Sequence, residues 1–512
     1  MSYVKESALF QVLFLLWGKF AALFRESAIG RCYARVDAWV ADKWNESFFV
    51  HLFYDEGQLS LRWGDSALCR TLEWLINLPM QFVQWIYRKL RRPLENSFFA
   101  TLAFEVGKES FLAASWFVAL ILCIPYDYWN NAYSLILSAF ALALLFVGGM
   151  NQQGYRLSLR HLGPYVTCFF AAVVVAVPLS NFTGLSFRYL PYLLSCMLIV
   201  VTLVNAAEYG KQLLRLGGGL GLGALVASAY GIYQQVVIGV EVNKSYVDLT
   251  VNPDMPGRVY SYFANPNALG ELLIMIMPVL VAMIFSSRRL VGKAAALCVF
   301  GFCGICLGMT YSRASWIGLV AAALCYVFLW NRRLLPLCFV AGFAAIPLLP
   351  TSILNRILTI TNMSDSSTSS RFPQYEAAIR LLMREPVTGA GLGADAVRRT
   401  VQLQSLYQGR APFVHAHNTF LQIWLETGLL GLGSFIASLI WTAKATARSI
   451  KTCPDPVARH MAIGGLSSLF GVMVCGLADY IWTYPRIMFI FWFVFGLTLA
   501  AIKVCKIEGN SV

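Results

Sequence analysis

From Ser110 onward the chain alternates long apolar runs with short polar connections. The runs are roughly 17–22 residues long, which is what a helix needs to cross a bilayer. Spans are expected at about 110–125, 132–150, 164–180, 188–206, 217–238, 267–285, 294–311, 314–330, 334–350, 418–441, 461–481 and 486–503, roughly twelve in all. This pattern predicts an all-α, polytopic membrane bundle over residues 110–505. Residues 1–109 mix tryptophan and phenylalanine with charges of both signs. There, Ala8–Phe24 is apolar but carries Lys19, residues 25–43 read as amphipathic, and Leu68–Leu90 ends in Arg88-Lys89-Leu90-Arg91-Arg92. Such segments suit the cytoplasmic lipid surface, with the basic cluster among headgroups.

Composition supports the membrane reading. The chain is 58% hydrophobic, its mean hydropathy is +0.62, and 13% of residues are charged. A soluble protein would carry about 25% charge. The net charge of +14 fits cytoplasmic loops touching anionic membrane lipid. No basic helix stands apart from the spans, so nucleic acid is not an expected partner. The 13 cysteines are scattered. Cys303 and Cys306 have metal-motif spacing but lie within an apolar run, where small packing residues are the plain reading. The charged Met1 end has no small-residue cleavage site after its apolar run, so no cleaved leader is expected.

Basic residues set the orientation. Arg156/Arg160, Lys211/Arg215, Arg288/Arg289/Lys293, Arg332/Arg333, Lys444/Arg448/Lys451/Arg459 and Lys503/Lys506 fall on alternate connections. They are read as cytoplasmic. The connection at 350–417 then lies outside, where short loops avoid cations. It nevertheless holds seven arginines (356, 371, 380, 384, 398, 399 and 410) and no lysine. Guanidinium groups grip phosphate in a bidentate manner that ammonium groups cannot. The glycine run Gly217–Gly223 opens an apolar segment with no strand before it, so close helix packing explains it better than nucleotide binding. Ser364–Ser370 reads as a linker within the outer loop.

Four outer constellations are candidates for chemistry. In the first, Arg258 precedes Asn265-Pro266-Asn267 and Gly270. Asn265 can cap a helix whose first turn holds Pro266; a cap with a surface arginine is the plain alternative. In the second, Thr310-Tyr311-Ser312-Arg313 joins two apolar runs, and Arg313 serves either an anion or lipid headgroups. The third begins at Arg371 and has helical spacing from Pro373, with Glu376 four residues before Arg380. Ile379, Leu381, Leu382 and Met383 give it an apolar side, and Gly389-Ala390-Gly391-Leu392-Gly393 follows as a turn whose amides could meet an anion. In the fourth, His415-Ala416-His417-Asn418 opens a helix that carries Glu426, Gly428 and Gly431. A carboxylate inside an apolar span needs a partner.

The pattern His417-Asn418, nine residues, Gly428, two residues, Gly431 resembles the signature of bacterial O-antigen ligases. The Arg258–Gly270 segment, the Thr310–Arg313 turn and the large loop before the histidine are similar to the wider O-antigen ligase and polymerase family, over roughly residues 200–440. The resemblance implies a helical membrane bundle related to the GT-C glycosyltransferases. It implies transfer of a glycan from an undecaprenyl diphosphate carrier on the outer face of the bacterial inner membrane. It also implies that His417 is the catalytic histidine and that Arg258 and Arg371 grip the diphosphate. The N-terminal 109 residues depart from the family plan.

The expected chemistry is inverting transfer to an acceptor hydroxyl of a glycan, lipid or protein. His417 is the base, with Glu426 orienting it or serving as the base itself. Arg258, Arg313 and Arg371 neutralise the leaving diphosphate, supported by Asn265, Asn267 and Asn418. No Asp-x-Asp motif is present, and no metal or cofactor is expected. The rival reading is a transporter or flippase, suggested by the buried carboxylates Glu271, Glu426 and Asp479. It lacks the internal repeat and midplane binding groups such proteins use.

Overall fold

The alternating pattern folds into helices throughout. The computed structural model is 79% helical, with no strand among the described residues. It describes residues 15, 18–19, 22–47, 57–152, 154–243, 255–263, 265–348, 350–358, 369–409 and 412–509. Most of Ala8–Phe24, most of Ser364–Ser370, and Arg410 lie outside these. Two compact units divide between Glu56 and Gly57. In the first unit, α1 (Ala28–Glu46) follows Ser27, whose hydroxyl accepts from the Gly30 amide.

The second unit begins with α2 (Gln58–Trp63), α3 (Ala67–Ile76), α4 (Leu78–Lys89), α5 (Arg91–Glu95) and α6 (Phe98–Lys108). The longer apolar helices follow: α7 (Ser110–Cys123), α8 (Ala132–Gly149), α9 (Gly163–Ala176), α10 (Thr183–Ala206), α11 (Gly210–Tyr233), α12 (Pro266–Ser286), α13 (Leu290–Met309) and α14 (Arg313–Asn331). Then come α15 (Leu335–Ala345), α16 (Thr351–Leu358), α17 (Arg371–Arg384), α18 (Ala394–Leu403), α19 (Thr419–Thr452), α20 (Pro456–Cys475) and α21 (Pro485–Gly509). Burial within the bundle separates the spans. The most apolar windows of α21, α20 and α12 are 94%, 83% and 78% buried, against 22% for α13. The first three form the centre, and α13 lies at the rim.

Among the described residues, nine helices are long and apolar enough to cross a membrane, or ten if α6 and α7, bent by 70°, count as one span. The expected twelve is not confirmed. One reason is that α9 has 14 residues, short for a crossing. Another lies at Arg313–Ala345, which runs as one helical stretch of 33 residues. A straight helix of that length would carry the chain about 50 Å away. Yet Tyr311 Oη lies 3.2 Å from Ser352 Oγ. The few residues after Ala345 reach at most about 24 Å. The chain therefore bends back between α14 and Ser352, and the 3₁₀ turn Arg332–Leu334 interrupts the α-helix on the way.

Two glycines show why the sequence needs them. A Cβ on Gly219 would collide with the Ser115 carbonyl, so the glycine run brings α11 against α7, as the packing reading expects. Gly428 has φ +68° and ψ −171° and breaks α19. The loop after α17 fills that break: Ala390 N donates to Leu425 O at 2.7 Å, and Leu429 N donates to Val387 O at 3.1 Å. The helix gives up its own ladder there, but its backbone groups stay paired. The short helices α2–α4 are tied to residues 149–159. Trp63 Nε1 donates to Leu159 O, both amide atoms of Asn77 pair with Leu157, and Glu73 accepts from Ser158 and Leu159. Leu68, Trp74, Phe82 and Trp85 remain on their open side, as an amphipathic face requires.

Candidate functional site

The site is built on the junction between the start of α19 and the connection from α20 to α21. Asn418 caps α19, its Oδ1 accepting from Leu421 N at 3.0 Å while Nδ2 donates to Leu477 O at 3.0 Å. Thr419 N donates to Gly476 O at 2.8 Å, and its hydroxyl donates to Asp479 O at 2.9 Å. These bonds stitch two segments some 60 residues apart in sequence. His417, just before the cap, has φ +43°. That conformation is uncommon for a residue with a side chain and marks a place held by its surroundings.

Asp479 stands at the centre and is 7% exposed. Its Oδ1 accepts from Tyr480 N at 2.9 Å and pairs with His417 Nδ1 at 3.2 Å. Its Oδ2 accepts from Asn267 Nδ2 at 2.9 Å. Asn267 Oδ1 in turn accepts from Arg258 Nη2 at 2.6 Å, and Arg258 Nε donates to Thr310 O at 2.8 Å. Arg258, Asn267, Asp479 and His417 thus form one hydrogen-bonded line drawn from three parts of the chain. Burial opposes ionisation of Asp479, but the hydrogen bond from His417 and the nearby His417, His415 and Arg371 outweigh it. The carboxyl is held below the usual carboxylate range. An ionised Asp479 can only accept, so His417 Nδ1 is the donor in this pair. The His417 side chain is 27% exposed.

His415 has a different part. It is buried, its ring centroid lies 4.1 Å from that of His417, and its Nδ1 accepts from His417 N at 3.2 Å. Burial, then the neighbouring His417, pushes its pKa down to about 3 against the pull of Asp479. It is a neutral acceptor that fixes the backbone of His417. His415, His417 and Asp479 each bring one ligand atom within 4.8 Å of the others, a spacing a metal could use. Nδ1 of both histidines and Oδ1 of Asp479 are already engaged in the hydrogen bonds above.

The arginines sort by position. Arg371 opens α17, and its charge acts on Asp479, His415 and Tyr375. The same turn brings the Tyr375 hydroxyl to His417 O at 3.2 Å. Arg313 opens α14, three residues from the carbonyl that Arg258 holds. Arg380, Arg384 and Arg398 have partners of their own. Arg380 pairs with Glu376 at 2.6 Å, Arg384 donates to Gln404 at 2.9 Å, and Arg398 pairs with Asp395 at 2.7 Å. Arg356 is buried in α16. On α17, Leu381 and Leu382 pack into a small core with α18 and α19, whereas Ile379 and Met383 stay exposed.

Glu426 and Asn265 sit apart from the imidazole. Glu426 Oε1 accepts from Gln422 Nε2 at 2.8 Å and from the Tyr480 hydroxyl at 2.9 Å, and Oε2 accepts from Gly393 N at 3.1 Å. The anion that the glycine turn meets is therefore this side chain. The carboxylate that hydrogen-bonds His417 is Asp479, and Glu426 fastens the loop to α19. Asn265 caps α12 through Ala268 N at 2.8 Å and reaches the Tyr484 hydroxyl at 2.9 Å. Asp479 and Tyr375 were not among the residues expected at the site. The available signal for Asp479 was a lone acid in the last short connection between two apolar runs, where a partner is required.

No curated protein matches the chain. Residues 296–436 match the family model described as O-antigen ligase, a stretch that includes Arg313, Arg371, His417, Glu426, Gly428 and Gly431. This segment, which carries the histidine and the glycine that breaks its helix, is similar to the O-antigen ligase family.

Proposed function

We propose that the protein transfers a glycan from an undecaprenyl diphosphate carrier to an acceptor hydroxyl on the outer face of the cytoplasmic membrane. The observation that carries this reading is the continuous line Arg258–Asn267–Asp479–His417, adjoining the family-matched segment. Asp479 holds His417 with Nδ1 protonated, so Nε2 takes the proton from the acceptor hydroxyl as its oxygen attacks the anomeric carbon. The bond from that carbon to the diphosphate breaks, and its electron pair leaves on the diphosphate oxygen. Attack opposite the leaving group inverts the centre. Arg371, Arg313 and Arg258 neutralise the charge that develops on the diphosphate, a task guanidinium groups perform without a metal. Asn267 and Asn418 position the two ends of the line, and Asn265 and Glu426 hold the helices that bear them.

The test is single-turnover transfer with purified protein and a polyprenyl diphosphate-linked glycan in detergent. His417→Ala should abolish product while the protein elutes and melts as wild type does. Full transfer by a well-folded His417→Ala protein would remove the histidine from the reaction. Movement of the lipid-linked glycan across sealed vesicles with no covalent product would favour a flippase instead.

A further inference from the structure

Beside the line of hydrogen bonds lies a cavity of about 460 Å³. Its walls come from the connection between α7 and α8, the approach to α12, and the start of α21. They include Tyr126, Trp129, Phe263, Tyr484 and Arg486, with the exposed Asp127 at the rim. Ala268, which also lines it, follows directly after the Asn267 that binds Asp479. The Asn265–Tyr484 hydrogen bond closes the wall between the two. The cavity thus adjoins the residue that holds Asp479.

Arg486 is the unusual member. It is 3% exposed, and its Nη1 donates to Ile124 O. Its guanidinium carbon lies 4.3 Å from the Phe263 ring centroid and 5.0 Å from that of Trp129. Among the described residues no carboxylate pairs with it. Ring faces stabilise a cation, but only in part. A buried charge without a counter-ion is costly, and this one borders a cavity. Aromatic anchors at a membrane surface explain Trp and Tyr alone. They do not explain a sunken cation between two rings, or Trp129 Nε1 held by Asn131 Oδ1 at 2.6 Å.

We propose that this cavity is a subsite for a sugar bearing a carboxylate, which pairs with Arg486 while the sugar ring stacks on the aromatic walls. The remaining edge of the guanidinium suits a planar carboxylate, and aromatic faces with a few fixed polar groups suit a sugar ring. The inference rests on the glycan-transfer reading and specifies an acidic unit in the glycan.

The experiment is saturation-transfer NMR on detergent-solubilised protein, with tetragalacturonate and neutral maltotetraose as probes. Tetragalacturonate should bind at least tenfold more tightly than maltotetraose. Trp129→Ala should weaken it at least fivefold, and Arg486→Gln should erase the preference for the acid. Trp129 lies in a connection rather than a span, so its variant tests the cavity even where Arg486→Gln does not fold. Equal affinity for the two probes overturns the proposal, as does tetragalacturonate binding that Trp129→Ala leaves unchanged. His417→Ala should bind tetragalacturonate as wild type does. Absence of covalent product from the wild-type protein counts against the glycan-transfer reading alone; absence of acid preference in a protein that does transfer glycan counts against the cavity alone.

Discussion

Asp479 Oδ1 lies 3.2 Å from His417 Nδ1, across 62 residues of chain. The carboxylate sets which nitrogen of the imidazole carries the proton. In Asp479→Asn the side-chain amide can donate to Nδ1 instead, which favours the tautomer with its proton on Nε2 and removes the base. Transfer should fall about 10²–10⁴-fold, the usual contribution of a positioned proton acceptor. The loss should appear in kcat, with donor KM little changed. A kcat within threefold of wild type would show that Asp479 does not set the tautomer.

The break in α19 depends on one residue type. Gly428 combines φ +68° with a position where a Cβ would strike the Val387 carbonyl. Gly428→Ala should therefore cost about 1–3 kcal/mol from backbone strain alone, and displace the loop that Glu426 anchors. Thermal unfolding in detergent should show a lower Tm and parallel loss of transfer. A variant that melts with wild type would mean the loop does not depend on this turn.

Much of the site was legible because its elements are local. His417-Asn418 before an apolar run, and Asn265-Pro266 before another, announce capped helix starts wherever they occur. Arg371 at the head of an amphipathic stretch was also readable. What escaped was pairing at a distance. Glu426 lies nine residues after His417 on one helix, and so presented itself as its partner, while Asp479 lies in another connection. Sequence spacing cannot reveal that Glu426 is taken up by Gln422, Tyr480 and the Gly393 amide. The count of twelve spans is not confirmed for a related reason. Hydropathy finds apolar length, but whether the chain runs on or bends back after α14 depends on contacts such as Tyr311 with Ser352.

The loop arginines should separate by function. Arg371→Lys keeps the charge but loses the planar fork, and transfer should fall at least tenfold. Arg398→Gln removes a partly exposed pair with Asp395, worth about 0–1 kcal/mol, and transfer should stay within twofold. Steady-state rates for both variants, at saturating and limiting donor, decide the matter. Equal loss in the two would mean the loop acts through its total charge.

Acid should destabilise the protein partly through His415. Its folded pKa is about 3, against about 6.5 for a free imidazole. Between those values the unfolded chain takes up a proton that the folded chain does not. Stability is therefore fully present above about pH 6.5 and declines as pH falls toward 3. Asp479, whose pKa is depressed, adds its own loss only below the ordinary carboxylate range of about 4. His415→Asn keeps an acceptor for His417 N but removes the titration. Its Tm should fall less than that of wild type between pH 7 and 4.5. His161, also lowered, to about 4 by burial and nearby cations, remains and preserves part of the slope. Parallel Tm curves for the two proteins would show that His415 is not held neutral by folding.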